Sequence, residues 1–165
     1  MYKNTILVVF MIFFAGCAQK ELNTKLTMFQ SVDEKDAVLL QDASDKNYCP
    51  RCGMDLVKYY KTSHSASDEK KVYQYCSIHC LEEHLGDGIE LKNPLVVDVT
   101  TLKFIDATKA YYVVGSRVRG TMSKISKYAF LNEEDARKFQ AQNSGEIMDF
   151  YEALEVARGD FKNYR

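Results

Sequence analysis

Four cysteines in two close pairs, Cys49-x2-Cys52 and Cys76-x3-Cys80, constrain this chain more than any other feature. Two thiol pairs some twenty residues apart form the usual frame of a four-thiolate metal knuckle. The first pair lies in Tyr48-Cys49-Pro50-Arg51-Cys52-Gly53-Met54, where Pro50 and Gly53 supply a tight bend. The second pair joins a strand end to the first turn of a helix, where residues four apart share a face. A helix N-terminus also favours thiolate over thiol. His79, three residues after Cys76, is an alternative ligand. Other uses of four thiols stay open. They form disulfides in an oxidising compartment, they hold a purely structural zinc, or Cys-x2-Cys is a redox dithiol. The long helix of a thioredoxin-like βαβ pattern does not follow the first pair.

The compartment is written at the N-terminus, MYKNTILVVFMIFFAGC. One basic residue, Lys3, precedes an apolar run that closes on Ala15-Gly16-Cys17. The run has signal-peptide length and is too short for a hydrocarbon layer of roughly 30 Å. Small residues before a cysteine resemble a bacterial lipobox, so residues 1–16 are expected to be a signal peptide and Cys17 the lipid anchor. Phe14 stands where that pattern more often has Leu. Ala18, in place of Asp, fits outer-membrane sorting of a periplasm-facing lipoprotein, with the inner membrane as the alternative.

Removal of residues 1–16 leaves 21 basic against 23 acidic residues. Such a chain offers no basic stripe to neutralise phosphates, which argues against a nucleic-acid partner. No Ser/His/Asp set, catalytic carboxylate pair or phosphate-cradling glycine loop stands out, so neither an enzyme nor a small-molecule substrate is expected.

The expected fold class is α+β. Residues 17–44 read as a flexible, lipid-anchored tether, 45–98 as a first unit with the metal knuckle, and 99–165 as a second. Strands are expected over 56–60, 72–76, 95–99, 104–108, 110–114, 128–131 and 147–150. Helices are expected over 78–85 behind Ser77, 133–142 behind Asn132, and 152–158. Residues 61–71 and 117–127 read as loops, and His64 and His84 as solvated. A shift of 54 residues lays YQYCSIHCLEEHL near YAFLNEEDARKF, with Cys76 on Phe130 and Leu85 on Phe139. That register hints at an internal repeat whose second copy lacks the thiols.

Zinc suits four thiolates, but Met54 and Met122 point to a softer ion. Met54 follows Cys52 by two residues, and Met122 sits in the polar loop Gly120-Thr121-Met122. Thioether with thiolate selects Cu(I). Met28 and Met148 read as core filling.

CPRCGMDL, VYQYCSIHCLEEHL, YYVVGSRVRGTM and GEIMDFYEALEV, in that order, resemble the NosL family of copper-binding lipoproteins of nitrous oxide reductase assembly. The resemblance spans about residues 46–157. It implies two similar ββαβ units and a Cu(I) carrier at the membrane. The implied partner is apo nitrous oxide reductase or its maturation machinery. Carried over by motif, Cys52, Met54 and Met122 would be ligands. The family's Gly-Pro-Met reads Gly120-Thr121-Met122 here. Cys49, Cys76 and Cys80 go beyond the minimal Cys/Met set and resemble TRASH-type knuckles, which keeps zinc as an alternative in the four-thiol site.

Overall fold

The computed structural model describes residues 28–42 and 44–160. Residues 1–27, and with them the expected signal peptide and Cys17, lie outside the described residues.

Among the described residues, two antiparallel sheets and three α-helices form the fold, and both halves have one topology. In the first, β1 (His64–Ser67) and β2 (Val72–Tyr75) make a hairpin, α1 (Ile78–Gly86) follows, and β3 (Lys92–Val97) returns beside β1. In the second, β5 (Tyr111–Val114) and β6 (Lys127–Phe130) make the hairpin, α2 (Glu133–Asn143) follows, and β7 (Glu146–Met148) returns beside β5. Two tandem ββαβ units therefore stand behind the 54-residue register. A short β4 (Phe104–Asp106) extends the first sheet to the order β2-β1-β3-β4, and α3 (Phe150–Gly159) closes the chain.

Strand alternation explains how the halves share a core. On β5, Tyr112 and Val114 face the large apolar cluster that holds Leu56, Tyr75, Val96 and the inner face of α3. Val113 points the other way, into a smaller cluster with Tyr128, Phe130, Ala136 and Phe139 under α2. The second sheet is thus covered on both faces. Asp98, 1 % exposed, joins the sheets: its carboxylate accepts from Thr101 and from the Leu131 amide, and a parallel bridge pairs it with Ala129. Arg158 on α3 reaches Glu82 on α1 at 2.8 Å.

Several expected elements are corrected. Residues 56–60 are not a strand. The Asp55 carboxylate accepts from the Val57 and Lys58 amides, an Asx turn that bends the chain into a 3-10 turn at Tyr60–Thr62. Residues 61–71 are not all loop. They contain β1, a polar strand paired on both edges, and its His64 is buried rather than solvated. His84 is buried as well, with Nδ1 2.7 Å from the Tyr75 hydroxyl. Phe150 ends no strand. It opens α3, whose Asp149 and Glu152 form a reciprocal capping box. Ser77 and Asn132 hold the expected N-cap positions, but neither side chain makes the capping bond. The flexible tether expected through residue 44 is also revised. Residues 28–42 are docked: the Val38 amide donates to the Tyr60 hydroxyl, the Leu40 amide to Gln74, and Gln41 to the Lys46 and Tyr48 carbonyls.

His64 sits in the core with Nδ1 donating to the Thr62 carbonyl at 3.0 Å and Nε2 3.1 Å from the Tyr112 hydroxyl. Both ring nitrogens are satisfied in the neutral form. Burial, reinforced by the charge of Lys127 and opposed by the Thr62 bond, lowers its pKa to about 4. The unfolded chain therefore takes up this proton first. Stability from this group is full above the ordinary histidine range and falls as the pH drops towards 4, by about 3 kcal/mol in all. Urea unfolding of reduced, metal-free wild type and His64→Gln at pH 7 and pH 4.5 checks this. The variant should lose less stability across the interval, and parallel losses would refute it.

Candidate metal centre

The sequence 48–55 folds back on itself tightly enough to bring two sulfurs together. The Cys49 amide donates to the Met54 carbonyl and the Gly53 amide to the Cys49 carbonyl, each at 2.8 Å. Gly53 takes φ +72°, a backbone region that a side chain disfavours. A bridge between Tyr48 and Asp55 closes the base of the turn. Arg51, at its tip, pairs with Asp87 at 2.8 Å beyond the C-terminus of α1. The turn is thereby held across the helix that carries Cys80 in its first turn and follows Cys76.

All four cysteines converge, with their sulfurs within 4.8 Å of one another. Cys52 Sγ lies 3.4 Å from Cys76 Sγ and 3.6 Å from Cys80 Sγ, and Cys76 and Cys80 are 3.8 Å apart. Tetrahedral thiolates at a zinc–sulfur distance of about 2.3 Å would be about 3.8 Å apart, so the donor set fits one ion with modest adjustment. The four are free thiols, not disulfides, and Cys49, Cys76 and Cys80 are buried while Cys52 is half-buried. Contacts from Cys52, Cys76 and Cys80 hold the Cys49 thiol far below its ordinary range, against its burial. Contact with Cys49, together with burial, pushes Cys76 and Cys80 far up. Without an ion the cluster supports little negative charge, and a bound cation lets further thiolates form.

Met54 extends the sulfur cluster outward, its Sδ 3.9 Å from Cys76 Sγ. Beyond it opens a cleft of about 710 Å³ whose walls include both Met54 and Met122. The expected pair of methionines thus shares one cavity beside the thiols. Met122 holds φ +46°, an uncommon backbone for a side-chain-bearing residue. His79 does not join this arrangement. It stands half-buried on the first turn of α1, outside the four-cysteine group.

Two supports of the site were invisible in the sequence. The buried Thr62 hydroxyl lies 2.8 Å from the Cys76 carbonyl and 2.8 Å from the Thr121 hydroxyl, linking the thiol site to the Met122 loop. Lys127 fixes the far end of that loop. Its ammonium is almost fully buried, pairs with Asp160 at 2.6 Å, and donates to Ser123 and to the Ile125 carbonyl at 2.8 Å each. Burial pulls the Lys127 pKa down while Asp160 supports the charged form. Nothing in the spacing of Thr62, Lys127 or Asp160 announces these long-range contacts.

A family model described as NosL matches residues 40–156, well over half of the chain. This chain belongs to the NosL family. It is 29 % identical, over 164 residues, to the copper-binding lipoprotein NosL of Stutzerimonas stutzeri, covering 90 % of this chain and 78 % of that one. The crystal structure of the copper chaperone NosL from Shewanella denitrificans aligns with a TM-score of 0.54 at 24 % identity. The alignment covers 68 % of this chain and 92 % of the Shewanella chain, a likeness of fold.

Thr62→Val keeps the side-chain shape but leaves the Cys76 carbonyl and Thr121 hydroxyl without their shared partner. It should destabilise the protein by about 1–3 kcal/mol, the cost of unsatisfied buried polar groups, and Thr62→Ser should recover most of that. Thermal unfolding of the three proteins in one metal state is the check. Equal stabilities would show that the hydroxyl does not staple the two segments.

Proposed function

We propose that this protein is a non-catalytic, membrane-anchored copper(I) chaperone that delivers copper for maturation of nitrous oxide reductase. The observation that carries this reading is the cleft beside the sulfur cluster, into which Met54 and Met122 both open. Thioethers are neutral, soft donors that hold Cu(I) without proton release and let it go by ligand exchange. Half-buried Cys52 is the thiol through which the ion would pass between cluster and cleft. Copper is cargo here, and these residues hold and hand it on without bond-making chemistry. Relatives named as a copper-binding lipoprotein and a copper chaperone support the assignment.

Export and lipidation at Cys17 would put the site in the periplasm, facing the apo-reductase or its maturation machinery. The Cys17 motif supports this, and among the described residues no helix is long and apolar enough to cross a membrane. Ala18 favours the outer membrane.

The tetrahedral fit of Cys49, Cys52, Cys76 and Cys80 favours a second reading of the knuckle itself. In that reading it holds a resident zinc that braces the fold, and copper is confined to the methionine side. His79 would then serve neither ion directly.

Metal analysis of the reduced, anaerobic full chain tests the proposal. Stoichiometric Cu(I), lost in Met122→Ala and in Cys52→Ser but transferred from wild type to the apo-reductase, is the expected result. Zinc alone, retained in Met122→Ala with no Cu(I) uptake by wild type, would overturn it.

A further inference from the structure

Met28 reads as core filling in the sequence, and the structure corrects that. It is 38 % exposed and lies at the same cleft as Met54 and Met122, although 26 and 94 positions separate it from them. Three of the chain's six methionines thus line one cavity. We propose that Met28 is a third thioether donor of this cleft, forming with Met54 and Met122 a Cu(I) capture site separate from the four-thiol knuckle. This rests on the chaperone reading above and assigns a donor that the family resemblance does not supply.

Three features hold Met28 where a donor is needed. Phe29, the next residue, is wedged edge-on against Tyr128 at 5.2 Å and tilted against Phe139 at 5.7 Å, with the Lys61 ammonium over its ring at 4.5 Å. Gln30 is 5 % exposed, and its amide nitrogen donates to the carbonyls of Arg119 and Gly120, just ahead of Met122. The Met28 carbonyl in turn accepts from the Ser31 amide at 3.0 Å and the Ser31 hydroxyl at 2.8 Å. A large, flexible apolar side chain is thereby held at the cleft, 38 % exposed, beside an equally exposed Phe29. Gln30 also ties the Met28 strap to the Met122 loop through its side-chain amide, so both thioether-bearing segments are held at the same cleft.

A set of neutral thioethers leaves Cu(I) with its full positive charge, and Arg119 and Lys124 also line the cleft. Those cations weaken retention, which suits a capture site that must release its ion. The buried thiols have the opposite character, gaining charge as an ion binds.

The test uses the full chain, detergent-solubilised, reduced and zinc-loaded so that the knuckle is occupied. Cu(I) is titrated in competition with bicinchoninate, and sulfur neighbours are counted by X-ray absorption. Met28→Leu should weaken Cu(I) binding by at least about tenfold, the least that loss of even a supporting partner at a metal site costs. The sulfur count should fall by one. Gln30→Ala, which removes no donor, should weaken binding in the same direction, and Met148→Leu should leave it unchanged. Wild-type affinity and sulfur count in Met28→Leu would overturn the Met28 assignment while leaving the chaperone reading intact. Failure of zinc-loaded wild type to take up Cu(I) would overturn this inference alone, and failure of the zinc-free, reduced wild type as well would remove the chaperone reading with it.

Discussion

The convergence of four thiols is the constraint around which the first half of the molecule is arranged. Buried sulfurs at 3.4 to 3.8 Å cannot all carry charge in an apolar core, and as thiols they make only weak contacts with one another. The surroundings hold them together regardless. The Cys49–Met54 turn is closed by its own amides, Arg51 ties it to Asp87, and the Thr62 hydroxyl meets the Cys76 carbonyl. Residues that touch no metal thus preserve a geometry whose own electrostatics would spread it apart. An ion at the centre reverses that balance, because each further thiolate then becomes favourable.

Duplication gives this site its setting. The two ββαβ units place their second strands, helices and third strands 54 or 55 residues apart, yet only the first carries cysteine. Between the end of the hairpin and the helix N-cap, where the first unit has Cys76, the second has Leu131, 48 % exposed. One copy places a buried thiol at its strand–helix junction and the other an exposed leucine. The loop after β5, freed from any such junction, supplies Met122.

Much of this was legible in the chain. The cysteine spacing identified the knuckle, the apolar periodicity located all three helices and most strands, and the NosL motifs gave the family. The exceptions share a physical cause. The strand β1 reads as a loop because His64 and Ser65 are polar, and pairing on both edges and a neutral, doubly bonded His64 make their burial tolerable. The turn at 56–60 looks extended because a single carboxylate, Asp55, decides it. Met28, Gln30 and Lys127 act through partners roughly thirty to ninety positions away in the chain, a distance at which periodicity and local motif carry no signal.

The wedge made by Phe29 also has a mechanical meaning. It fixes the first of the described residues against the second sheet, and eleven residue steps separate Cys17 from Met28 in the sequence. Even fully extended, such a leash reaches about 40 Å. With a lipid on Cys17, the methionine cleft is confined to a shell above the bilayer no deeper than that. In the proposed role it would exchange copper with membrane-embedded or membrane-docked proteins and would not range far from the bilayer. The anchor and the cargo site are then parts of one short lever, and its pivot is an aromatic ring.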